Sequence, residues 1–104
     1  MRKAKVYMHN NEAGLLIEDE LNQKYRFIYD DSYKGKAISV TMPVEDKEFK
    51  FEHFPPFFEG LLPEGVNLEA LLRSKKIDRN DRFAQLMAVG EDTVGAVTVK
   101  EVKA

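Results

Sequence analysis

Histidines, serines, paired carboxylates and one run of cations are the side chains of this sequence that could do chemistry. His9 and His53 are the only candidates for imidazole ligands or bases. They stand far apart, with neither HxxxH nor HxH spacing, so a metal site would need carboxylates gathered by the fold. Surface or strand histidines are the simpler reading. Ser32, Ser39 and Ser74 lack the flanking glycines of a nucleophile elbow. Gly60 and Gly65 flank LLPE without the GK[ST] ending of a phosphate loop, and no G-x-G-x-x-G occurs. The pairs Asp30–Asp31 and Glu91–Asp92 fall in expected loops, where solvation accounts for them. Cysteine is absent, which removes disulfides, thiolate nucleophiles and thiolate metal sites together. We therefore expect no catalytic residue, no metal and no cofactor.

Arg73, Lys75, Lys76, Arg79 and Arg82 form the one patch that could meet nucleic acid. Asp78 and Asp81 interrupt it, and it carries no exposed aromatic signature of a base-stacking platform. A solvated corner between two helices is the expected reading; an RNA- or DNA-contacting accessory is the alternative, and it predicts affinity that falls steeply with salt. With 16 basic against 18 acidic residues, the formal net charge of −2 supplies no broad attraction to nucleic acid or an anionic membrane. The basic N-terminus MRKAKVYMHNN is not followed by an apolar h-region, and no apolar run is long enough to span a bilayer, so a cytoplasmic protein is expected.

The elements that must hold these side chains are arranged around Phe54 to Gly65, FPPFFEGLLPEG. Prolines 55, 56 and 63 fix φ, and Gly60 and Gly65 permit backbone conformations closed to other residues, so the stretch specifies a shape. Pro55 and Pro56 suit the entry of a short helix, whose Phe57, Phe58, Leu61 and Leu62 would form one wide apolar stripe; Gly65 suits its exit. That stripe is either core or, in part, a rigid apolar anchor for a partner.

Before it, Ala4–His9 and Ala13–Glu18 read as a hairpin around Asn10–Asn11. Leu21–Tyr29 continues the meander, with Tyr25, Phe27 and Tyr29 on one face and Lys24 and Arg26 on the other. Ile38, Val40 and Met42 alternate with Ser39 and Thr41 as a strand stopped by Pro43. Phe49–Phe51 reads as a short edge strand. After Gly65 the period changes from 2 to about 3.6. Asn67 would cap a helix carrying Leu68, Leu71 and Leu72, with Arg73, Lys75 and Lys76 near its C-terminal end. Asp78 would cap a second, with Asp81 as its capping-box partner and Phe83, Leu86 and Met87 on one face. Gly90 would close that helix in a left-handed conformation. Thr93–Val102 reads as a last strand, Val97 and Val99 on one face and Gly95 at a bend or close approach. The expected fold is one α+β domain over residues 1–104: a small antiparallel sheet of five to six strands with two to three helices packed on one side.

Four blocks in order, KVYMHNNEAGLL, ISVTMP, FPPFFEGLLPEG and DTVGAVTV, resemble the N-terminal subdomain of the HipA family of serine/threonine kinase toxins. The likeness spans nearly the whole chain, and it is greatest toward the stand-alone HipS component of the three-part HipBST toxin–antitoxin systems. The resemblance implies a protein without kinase machinery, and so not an enzyme. It implies an antitoxin that docks on a HipT/HipA-like kinase and holds it inactive, within a larger complex with a HipB-like DNA-binding protein. A chain of 104 residues starting at Met1 suits the stand-alone form, an excised domain of a longer kinase being the other reading. Phe57, Phe58, Leu61, Leu62, Pro63, Glu64 and Val66 are the implied partner-binding residues, with Pro63–Glu64–Gly65 as the tip approaching the kinase. Some stand-alone relatives carry a bulky aromatic after this turn. Val66 stands there in this chain, which has no Trp. The implied mechanism is therefore separation of the kinase lobes, or an inactive arrangement of them, in place of a ring plugging the active site.

Overall fold

A computed structural model describes residues 1–93 and 95–102. Five strands, β1 (Arg2–Met8), β2 (Asn11–Glu20), β3 (Lys24–Tyr29), β4 (Glu48–Phe51) and β5 (Val97–Glu101), form one antiparallel sheet in the order β4-β3-β2-β1-β5. Three helices, α1 (Pro56–Glu59), α2 (Gly65–Lys75) and α3 (Arg82–Val89), complete a small α+β fold.

Alternation decides which face is covered. The register aligns Val99, Val6 and Gly14 with Tyr29 across four strands, and Ala4 and Leu16 with Phe27 and Phe49. These positions share one face; Val99, Val6, Tyr29, Ala4, Leu16 and Phe27, with Phe54, Phe58, Phe83 and Leu86, make the core, and Phe49 packs partly buried at its margin. Helices pack there because their apolar side chains have nowhere else to go. Tyr25 meets Phe54 edge-on at 5.3 Å between ring centroids, and Phe27 meets Phe58 at 5.8 Å. The other face carries Lys3, Lys5, Arg26, Lys50 and Lys100. Buried Ile17 sits on it, paired across the ladder with Lys3 on one side and Arg26 on the other.

Several local expectations hold. Tyr25, Phe27 and Tyr29 are all buried on one face of β3, and β4 is an edge strand. The first hairpin turns through positive φ at His9 and Asn10. The strand expected over Ile38–Met42 does not form: residues 30 to 43 are a loop. Tyr29 is the reason. Its hydroxyl accepts from Ile38 N–H at 3.0 Å and donates to the Met42 carbonyl at 2.6 Å, so the backbone that would have joined a ladder is wrapped around one phenol. Ser39 and Thr41 bond each other through their hydroxyls at 2.9 Å instead of pointing together from a strand face.

The caps also differ. α2 begins two residues before Asn67, with Glu64 at its N-cap and no side-chain cap. The cap of α3 is Asp81, which accepts from Ala84 N–H at 3.1 Å, whereas Asp78 accepts from Asn80 N–H at 2.7 Å in the preceding turn. A carboxylate closes whichever N–H the chain direction presents, and that direction is set by packing. Gly90 is right-handed, φ −58°, and its constraint is close approach: a Cβ there would collide with the Val99 carbonyl. The left-handed helix end belongs to Lys76, φ 55°, after α2. Gly95 lies at φ 114° with open space around it, a bend and not a close approach. The last strand is shorter than Thr93–Val102, and Val94 of that expected span lies outside the described residues.

Candidate interaction surface

The Phe54–Gly65 stretch is a specified shape, but its apolar residues do not act as one stripe. Pro56 occupies the first turn of α1, where its missing N–H removes no helical bond. Glu59 and Gly60 donate to the carbonyls of Pro55 and Pro56 at 3.0 and 3.1 Å; Leu61 and Leu62 then donate to Phe58 and Glu59, both at 3.1 Å, as the chain tightens into successive turns. Gly60, not Gly65, ends α1. Glu64 is extended, and Gly65 enters α2 at φ 59°, a left-handed conformation that glycine adopts without steric cost.

This backbone distributes the seven candidate residues among four environments. Phe58 is wholly buried and belongs to the core. Phe57, edge-on to it at 5.2 Å, is half-buried and faces a groove along β4. Leu61, Leu62 and Pro63 are half-buried and line a second groove of about 470 Å3 against Ala88 and Val89 at the end of α3. Glu64 and Val66 project from the tip, Val66 with 83% of its surface exposed. Val66 is already the second residue of α2, a helix of eleven residues with none buried. Leu68, Leu71 and Leu72 are half-covered, so this helix retains apolar surface beside Leu61, Leu62 and Val66.

Sequence reasoning missed the charged clamp that fixes the adjoining helix. Arg2 pairs with Glu18 at 2.6 and 2.9 Å and with Asp81 at 2.9 and 3.2 Å, while its guanidinium lies 5.0 Å from the Phe83 ring centroid. Glu18 is buried and accepts a further bond from Asn22 N–H at 3.0 Å. Burial opposes ionisation of Asp81, but the bonds from Arg2 and Ala84 N–H outweigh it, and its pKa is held below the ordinary value. Burial, with the neighbouring Glu18 carboxylate, pushes the Tyr25 phenol up to about 12. No local pattern announces this clamp, because its three members join β1, β2 and the cap of α3.

The basic corner is partly neutralised. Arg79 makes a two-pronged pair with Glu69 at 2.6 and 2.7 Å, and Arg82 meets Glu59 at 2.8 Å. His9 and His53 remain apart, and no group of three His, Asp or Glu side chains among the described residues is placed to hold a metal. No helix among the described residues is long and apolar enough to cross a membrane.

Fold and surface define a class: a small α+β domain whose prominent exposed features are a braced apolar turn and an incompletely covered helix. The family model of the HipA N-terminal domain matches residues 4–100, and the chain belongs to that family. It is 33% identical over 103 residues to an uncharacterized protein of Haemophilus influenzae, covering 99% of this chain and 95% of the relative. It superposes on a solved N-terminal domain of HipA toxin with a TM-score of 0.78 and 30% identity, over 99% of this chain and 94% of the other. The chain is thus a HipA-related toxin–antitoxin module, and the region it matches is a non-catalytic subdomain.

Proposed function

We propose that this chain is an antitoxin of the HipS type, which docks on a HipT/HipA-like serine/threonine kinase and holds it inactive, with a HipB-like DNA-binding protein in the larger complex. The observation that carries the reading is the tip and helix after Pro63: Val66 exposed and α2 without a buried residue, beside half-buried Leu61 and Leu62. A proline-braced turn loses little conformational entropy when it docks, and uncovered leucines gain burial on binding. Phe57, Leu61, Leu62, Pro63, Glu64 and Val66 supply the contact, while Phe58 supports it from the core.

The test is kinase phosphorylation and complex formation measured together, with wild-type chain and with Glu64→Arg and Val66→Asp. Both positions are exposed, so the fold is retained. Each substitution is expected to weaken binding about tenfold or more and to release kinase activity in parallel. Undiminished binding by both variants would overturn the surface; a stable complex with full kinase activity would overturn inhibition. A second reading, an N-terminal regulatory domain of a single-chain HipA-like kinase, draws on the likeness to the N-terminal domain of HipA toxin. It uses the same surface in cis and is distinguished by a reading frame continuing past Ala104. A nucleic-acid role for the Arg73–Arg82 corner gains less support, since Arg79 and Arg82 are already paired with carboxylates.

A further inference from the structure

The two edges of the sheet are treated differently. On the β5 side, the turn at Gly90–Asp92 packs so closely on Val99 that no Cβ fits between them. On the β4 side, Glu48, Phe49, Lys50 and Phe51 all line a groove of about 560 Å3, with Met42 and Phe57 on its apolar wall. Val40, next to that wall in sequence, is 97% exposed. A strand edge bordered by apolar surface is a template for another strand.

The phase of the ladder determines what that edge offers. Tyr29 N–H donates to the Lys47 carbonyl at 2.9 Å, and the register continues Ile28 to Glu48, Phe27 to Phe49, Arg26 to Lys50 and Tyr25 to Phe51. Hydrogen-bonded pairs alternate in an antiparallel ladder, so Phe49 and Phe51 turn their backbone groups to β3. Glu48 and Lys50 turn theirs outward. Two copies of β4 related by a two-fold axis at Phe49 would place each Glu48 opposite the other copy's Lys50. All four outward N–H and C=O groups of those residues then pair, and Phe49 meets its counterpart in a non-hydrogen-bonded pair, where side chains come closest. Shifting the register by two residues sets Lys50 against Lys50 or Glu48 against Glu48, which is repulsive. Charge and hydrogen-bond phase therefore select the same arrangement.

We propose that β4 is a self-complementary edge through which two copies of this chain associate, joining their sheets and covering the Met42–Phe49–Phe57 grooves. This is independent of the kinase reading. Glu48 and Lys50 are free to take part: Glu48 has a partner in Arg26 at 3.2 Å, which keeps Asp19 if Glu48 changes, and Lys50 has no ion pair among the described residues.

The test is sedimentation equilibrium of the purified chain, with thermal melting to verify that each variant is folded. Wild type is expected to dimerise with rising concentration. Glu48→Lys and Lys50→Glu each turn two attractive cross-strand pairs into repulsive ones and should each weaken association about tenfold or more. An equimolar mixture of the two variants should regain it, because the new lysine at position 48 then faces the new glutamate at position 50. A wild-type chain still monomeric at about 1 mM, the limit of a minimal contact, overturns the proposal, including the case in which this edge takes a strand from a different protein. Association that survives in both single variants, or a mixture no more associated than its parts, overturns it as well.

Discussion

Helices α2 and α3 both carry apolar side chains at helical spacing, Leu68, Leu71 and Leu72 in one and Phe83, Leu86 and Met87 in the other, yet only α3 is a core element. α3 buries Phe83, Gln85 and Leu86, is capped by Asp81 and is tied back through Gln85, whose amide donates to the Asp78 and Arg79 carbonyls at 3.3 and 2.9 Å. α2 buries nothing, has no side-chain cap and ends on a lysine in a left-handed conformation. Helical periodicity thus predicts that a helix forms without predicting that its apolar side is fully covered. A helix left half-covered at the surface of a small domain has apolar area available for binding.

The largest effect should come from setting the two helices against each other directly. Leu86→Ala removes a fully buried side chain and is expected to cost about 2–5 kcal/mol, while Leu72→Ala, half-solvated already, should cost under about 1.5 kcal/mol. Urea unfolding of both variants measures the difference. Equal costs would break the comparison and place α2 in the core.

Next in size is the clamp beneath α3. Arg2→Met leaves Glu18, with 2% of its side chain exposed, without its main partner. Removing one partner of a buried pair costs about 3–5 kcal/mol, and because Arg2 itself is 30% exposed we expect about 2–3 kcal/mol. Replacing Glu18 by Met in the same chain should recover most of the loss, since the cost lies in the stranded carboxylate. No recovery would mean that the ion pair itself supplies the stability.

The clamp also sets an acid limb. The folded-state pKa of Asp81 lies below its ordinary 3.8, so its contribution is present above pH 3.8 and is lost as pH falls through the lower folded value. Stability measured toward acid should therefore fall less steeply in Asp81→Asn, which keeps a capping oxygen but cannot titrate. Identical acid limbs in the two proteins would remove Asp81 from this role.

These elements also mark where sequence was informative. Tyr25, Phe27 and Tyr29 were readable as one face because alternation in a strand is a local property. Phe83 and Leu86 were readable as a helix face for the same reason. The misread segment, Ile38 to Met42, alternates as well as any strand here, but its polar groups are taken by the Tyr29 hydroxyl and by turn bonds around Ser39, which alternation does not report. The Arg2–Glu18–Asp81 clamp was invisible because no short window contains it. Within the candidate surface, the brace at Pro55–Gly65 was legible from its prolines and glycines. The division of Phe58 into the core and Val66 into solvent was not, since it is set by tertiary packing, Phe58 against Phe27 of β3 and α2 left at the surface, and not by any local pattern.

The smallest predicted effect tests the comparison most finely. The left-handed conformation of Lys76, φ 55° and ψ 48°, costs roughly 1 kcal/mol and turns the next N–H, that of Ile77, onto the Leu72 carbonyl at 3.0 Å. Lys76→Gly should remove much of that cost and stabilise the end of α2 by about 0.5–1 kcal/mol. If α2 opens as a unit of its own, hydrogen exchange of its amides should slow about two- to fivefold while global unfolding is unmoved, because the gain is spent on a segment that is lost before the core. If instead the midpoint of global unfolding rises by the full amount, α2 is cooperative with the sheet. Its half-covered leucines would then be bound as firmly to the fold as Leu86, and the contrast between the two helices would be one of exposure alone.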